Sequence, residues 1–200
     1  MKDEYRTIRE ESRGLFKDRG SKFIAIASPV TSPDVINGIL DRVKKKYHDA
    51  RHYCYAYNLG TEGNNWRVND DGEPSGTAGN PIMGQIKSFK LTNILIIVVR
   101  YFGGTLLGTG GLINAYRNAA RNALENADII NETVDFTYIL FFPYSAMNRV
   151  MRLIKDENLQ QSEEVFEMDC KMKIHFRASL EKRIRGKLEL IDELHFKKEE

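Results

Sequence analysis

Six consecutive apolar residues, Ile94–Val99 (ILIIVV), constrain this chain more than any other stretch. A short β-branched run of this kind, closed by Arg100, reads as a buried strand. It falls far short of the ~20 residues a membrane helix needs. A glycine-rich loop, Arg100–Gly111 (RYFGGTLLGTGG), joins it to a helical pattern over Leu112–Ala127. Leu112, Tyr116, Ala119, Ala123 and Leu124 share one face of that helix, and Asn114, Arg117, Asn118, Arg121 and Asn122 share the other. Upstream, Ser21–Val30 and Arg51–Leu59 alternate like strands, while Pro33–Tyr47 has helical spacing with Ser32 as N-cap.

Fourteen of the fifteen glycines lie before residue 130, as do four of the five prolines. A boundary is therefore expected near Ile130–Glu132, giving domains 1–130 and 131–200. The second part reads as strand Thr133–Phe142, helix Ser145–Asn158 capped by Ser145, strands Glu164–Met168 and Cys170–Ala178, and helix Leu180–Leu194. That order is most of a split β-α-β unit, with the last strand of the charged tail expected to be short or missing. The class is α+β.

Composition excludes collagen-like and wholly disordered chains, at 42% hydrophobic and 29% charged residues. The first 130 residues hold 18 Lys and Arg against 14 Asp and Glu, and the remainder 12 against 14. The mildly basic first part permits an anionic partner without demanding one. Cys54 and Cys170 lie far apart, which fits neither a disulfide scaffold nor a paired-cysteine zinc site. The charged start at Met1–Glu4 has no apolar stretch of a signal peptide, so a reducing cytoplasm is expected.

Two segments carry groups suited to chemistry. Asn69–Pro81 (NDDGEPSGTAGNP) crowds Asp70, Asp71 and Glu73 beside Ser75 and Thr77. Three carboxylates in four positions could hold a hard cation, although the same residues are ordinary turn formers, and no metal is assigned. In the second segment Arg100, Tyr101, Gly103, Gly104, Gly108, Gly110 and Gly111 precede a helix N-terminus, an arrangement that suits an anion. It is neither a Walker A motif nor a GxGxxG fingerprint, and close packing of helix on strand explains the glycines equally. His52 shares a strand face with Cys54 and Ala56, but neighbours two apart on one strand rarely align thiol with imidazole. No GxSxG elbow occurs.

Taken together, ARHYCYAYNLG, DDGEPSGTAGNPI and RYFGGTLLGTGGLINAY resemble the IMPACT/YigZ family of conserved cytoplasmic proteins. The shared motifs cover roughly residues 20–127. The resemblance implies a first domain like ribosomal protein S5 domain 2 and a ferredoxin-like second domain similar to the C-terminal domain of elongation factor G. It also implies a link to translational regulation, which in eukaryotic members with an added N-terminal domain works by competing for the activator of a kinase that senses uncharged tRNA. No such added domain is expected here, the family region beginning at about Tyr5. Leu106 and Asn114 stand where the family usually has Lys and Arg, which removes positive charge around the glycine loop.

The leading reading is a non-enzymatic binding protein of the translation apparatus, with RNA or a ribosome-associated protein as partner and no cofactor. Arg100, Arg117 and Arg121 are then the phosphate contacts, without DNA sequence specificity. A small hydrolase or phosphate-handling enzyme would instead use Asp70, Asp71 and Glu73 as metal ligands or general base. A third reading makes both motifs internal scaffolding. The two segments are expected to lie side by side facing a shared cleft of the first domain, with His52 near it, the alternative for His52 being a histidine satisfied by backbone carbonyls inside the domain.

Overall fold

The computed structural model describes residues 3–199; Met1 and Lys2 of the charged start, and Glu200, lie outside the described residues. In chain order the elements are β1 (Glu4–Ile8), β2 (Ser12–Asp18), β3 (Ser21–Pro29), α1 (Pro33–Lys46), β4 (His52–Leu59), β5 (Asn65–Asn69), α2 (Gly79–Ser88), β6 (Ile94–Tyr101), α3 (Gly108–Glu125), β7 (Ile129–Thr133), β8 (Asp135–Pro143), α4 (Met147–Asp156), β9 (Gln160–Val165), β10 (Asp169–Arg177), α5 (Glu181–Leu188) and β11 (His195–Lys198). The chain divides into two compact units. One is Tyr5–Glu132; the other joins the residues up to Glu4 to the chain from Thr133 onward.

In the first unit five antiparallel strands pair in the order β2-β3-β6-β4-β5, with the apolar run at the centre. Strand alternation explains why the run has no polar position. Ile94, Ile96 and Val98 pack under α2 and α3, while Leu95, Ile97 and Val99 pack against α1 on the other face. Ser32 caps α1, accepting the Val35 N–H at 3.4 Å, with Pro33 opening the helix and Lys44–Lys46 closing it. Four strands and α2 escape the pattern reading. β1, β2, β5 and β7 are short and polar, and α2 (GNPIMGQIKS) carries two glycines and a proline that argue for a loop. β1 and β7 pair with each other in a separate two-stranded sheet.

The second unit orders its strands β11-β8-β10-β9, all antiparallel, so each helix links two strands that flank a third. Leu140 and Phe142 from β8, with Met172 and Ile174 from β10, pack on Val150 and Ile154 of α4 and on Ile184 and Leu188 of α5. Ser145 does not cap a helix. It lies in a 3-10 turn, Tyr144–Ala146, and its hydroxyl donates to Glu193 at 3.3 Å. The last strand is present, four residues long, and Phe196 alone on it turns inward to the core. Its charge disguises it, because an edge strand is protected by lysines. Among the described residues no helix is long and apolar enough to cross a membrane.

Candidate functional site

A tight turn sends the three acidic side chains in three directions. The Glu73 N–H donates to the Asp70 carbonyl at 2.9 Å, with Asp71 (φ 42°) and Gly72 (φ 83°) both left-handed, as in a type I′ turn. Asp70 closes the N-terminus of α2, its carboxylate accepting the N–H groups of Gly76 (2.8 Å), Ala78 (3.0 Å) and Gly79 (2.8 Å). Asp71 accepts the Tyr53 N–H of β4 at 2.7 Å. Glu73 turns inward.

Alternation along β6 puts Arg100 on the α2–α3 face, paired in register with Phe23 on one side and His52 on the other. Its Nη1 donates to Glu73 Oε1 at 2.6 Å, with side chains only 7% and 4% exposed. The Tyr116 hydroxyl of α3 donates to the same oxygen at 2.8 Å, and the Cys54 thiol lies 3.2 Å from that hydroxyl. The guanidinium stacks near the rings of Phe23 (5.5 Å) and Phe102 (5.6 Å). Burial pushes the Cys54 thiol up, with Glu73 and Asp71 adding to it. Burial, Cys54 and Glu73 likewise raise Tyr116. Both stay neutral, so Cys54 is not an activated nucleophile. His52 Nδ1 carries its proton toward the Asp71 carbonyl at 2.8 Å, which locks that turn against β4.

The structure thus brings His52, Asp70, Asp71, Glu73 and Arg100 into one region, but it commits each of them, Glu73 to Arg100 and the other three to backbone groups. The carboxylates are committed separately, and among the described residues no three His, Cys, Asp or Glu groups could hold a metal ion. Thr77 is also turned inward, donating to the Pro74 carbonyl at 2.6 Å, while Ser75 is exposed. Tyr101 does not join the cluster. It lies on the α1 face and donates to Asp49 at 2.7 Å, and this bond, with burial, raises its hydroxyl to about 12. Arg100, expected at an open anion site, is buried instead.

Gly103 is set by backbone contact with Gly20 of the β2–β3 turn. Gly111 abuts Leu107, whereas a side chain at Gly104, Gly108 or Gly110 would meet open space. The helix that follows begins at Gly108, four residues before its apolar pattern, and no side chain caps it. On its outward face Arg117 is exposed and Arg121 is paired with Glu125 at 2.7 Å. Tyr116 was legible only as a core position. A lone hydroxyl on an otherwise apolar helix face is the signal that marks it as a donor.

The Asp70 cap has a predictable pH signature. Burial works against its charge, but the Gly76, Gly79 and Ala78 amides outweigh burial and hold the carboxyl below its ordinary value. A lowered native value means the stabilisation is complete above the ordinary carboxylate range and is lost as pH falls through the native one. Asp70→Ala is expected to cost about 1–2 kcal/mol at neutral pH and to flatten the acid limb of the stability curve. Urea unfolding of both proteins between neutral and acid pH checks this; an unchanged acid limb refutes the cap.

The Impact N-terminal domain family matches residues 19–124, the segment that holds the whole cluster. The chain belongs to the IMPACT family. It is 35% identical over 130 residues to IMPACT family member YvyE of Bacillus subtilis (strain 168), covering 65% of this chain and 60% of that protein. The chain thus spans under two thirds of that relative's length. It is 33% identical over 136 residues to IMPACT family member YigZ of Escherichia coli (strain K12), covering 67% of each. A crystal structure described only as that of a hypothetical protein superposes with a TM-score of 0.73 at 24% identity, covering 98% of this chain and 97% of that one. That likeness extends the shared fold across both units, beyond the segment the IMPACT family match covers.

Proposed function

We propose that this chain is a non-enzymatic binding protein in the regulation of translation, acting in the cytoplasm on RNA or a ribosome-associated protein. The observation that carries the reading is the buried Glu73–Arg100–Tyr116 cluster. It uses up Glu73, the cation and the hydroxyl, and Asp70 and Asp71 are spent on backbone amides, so the groups a hydrolase would need do not meet at one open site. What remains presented is the Phe102–Gly111 loop, with Phe102 and Leu106 exposed, and the outward face of α3. The cluster is the anchor that holds this loop in place, and the loop is the contact surface. We assign the first unit to the ribosomal protein S5 domain 2-like fold and the second to the ferredoxin-like fold; the β11-β8-β10-β9 order supports the second assignment.

Arg100 is unavailable to phosphate, so Arg117 and Arg121 are the two remaining contacts. Log affinity for RNA is then expected to fall against log salt with a slope of about −1.5, at ~0.7–0.9 per contact. Titration with single-stranded and ribosomal RNA, beside co-sedimentation with ribosomes, tests the proposal. RNA binding with that slope supports an RNA partner. Co-sedimentation without RNA affinity assigns the partner to protein. Absence of both overturns the reading.

A further inference from the structure

Of the eleven large apolar side chains exposed among the described residues, five gather at one end of the second unit's sheet. Phe141 and Val165 flank Lys171 in a single cross-strand row, since Lys171 pairs in register with both. The Tyr144 N–H donates to the Met168 carbonyl at 3.2 Å, which brings Tyr144 and the β9–β10 turn together. Phe166 lies in that turn at 48% exposure, and Met168 at 90%. A groove of ≈ 460 Å³ opens beside Phe141, lined also by Lys171, Glu193 and His195. A patch of this kind on one sheet end, rimmed by charge, marks a surface that another chain covers.

The charge of the rim selects the occupant. From Gln160 to Asp169 there are four acidic residues and no basic one, and Lys171, the cation within the apolar row, leaves the patch acidic on balance. Glu163 is neutralised by Lys173 at 2.7 Å, whereas Glu164, Glu167 and Asp169 have no ion pair among the described residues. A second copy of this chain would set acid against acid along β9, and RNA would meet the same repulsion. Backbone pairing is also blunted: the β9–β10 register shifts between Lys171 and Lys173, with Glu163 in a left-handed conformation (φ 50°). The edge is guarded against strand addition, yet its large apolar side chains stay open.

We propose that this corner docks a basic protein segment, which inserts apolar side chains among Phe141, Val165, Phe166 and Met168 while its Lys or Arg residues face Glu164, Glu167 and Asp169. The inference is independent of the glycine-rich loop of the first unit.

The test uses the full chain and three labelled synthetic peptides of equal length: alternating Lys and Val, alternating Glu and Val, and alternating Lys and Ser. Fluorescence anisotropy is expected to show the Lys–Val peptide binding about tenfold or more tighter than either twin, with affinity falling as salt rises. Phe166→Ser with Met168→Ser, both at exposed positions, is expected to remove about tenfold of that affinity. Glu164→Lys with Glu167→Lys is expected to weaken it similarly at low salt without altering the melting temperature. Equal binding of all three peptides, or none of any, overturns the proposal. Sedimentation showing a dimer that Met168→Ser dissociates would give the surface to a second copy, and RNA binding lost in the Phe166→Ser, Met168→Ser protein would give it to nucleic acid; either overturns it.

Discussion

Glu73→Ala is expected to destabilise the first unit by about 3–5 kcal/mol, because it leaves the Arg100 guanidinium buried with no counter-charge. Both partners are almost fully enclosed, and solvent cannot take the place of the lost carboxylate. Arg100 has little reserve, since its Nε already has no hydrogen-bond partner. Tyr116→Phe, which removes one donor from the same oxygen, is expected to cost only about 0.5–1.5 kcal/mol. Removing both charges together, as Glu73→Leu with Arg100→Met, is expected to cost far less than the two single changes summed, since neither charge is then stranded. Urea unfolding of the wild type, Glu73→Leu, Arg100→Met and the double variant measures the cycle. Additive losses would show that the two side chains do not depend on each other.

Gly103→Ala is expected to cost about 3 kcal/mol or more, at the top of the range for overpacking. A Cβ there would lie 1.9 Å from the Gly20 carbonyl carbon and 2.2 Å from the Ser21 nitrogen, both backbone atoms that cannot swing aside. Gly14→Ala is expected to behave alike, with a Cβ 2.3 Å from the Ala123 nitrogen of α3. Gly110→Ala is the contrast. Its Cβ meets open space in the first turn of α3, and helix propensity predicts a gain of about 0.5–1 kcal/mol. Thermal unfolding separates the two behaviours. A stable Gly103→Ala protein would mean that the loop is free to shift, and that the glycine serves close approach of a ligand rather than of the β2–β3 turn.

The parts of the fold legible in the sequence are those where one residue pattern meets one environment. The Ile94–Val99 run is buried on both sides, and the Leu112–Leu124 stripe faces one core. α2 was illegible because its start is stabilised from outside, by Asp70, nine residues before Gly79. β11 was illegible because edge protection and a disordered tail both favour lysine. At the candidate site, sequence chemistry singled out the unusual residue types but not what each side chain binds. Asp70, Asp71 and Glu73 are adjacent in the chain, yet the left-handed Asp71–Gly72 pair separates them. Tyr101 follows Arg100 directly, and the same pleat that buries Arg100 sends Tyr101 to the opposite face.

The two cysteines form a pair of internal clocks. Cys54 is wholly buried in the first unit and Cys170 nearly so in the second, each without a disulfide partner. A thiol enclosed in this way meets an alkylating reagent only when its surroundings open, so its rate of labelling follows the opening of its own unit. Because each unit holds a single thiol, the two rates can be read in one reaction on the unaltered chain. They report separately how often the Arg100 cluster and the second sheet come apart.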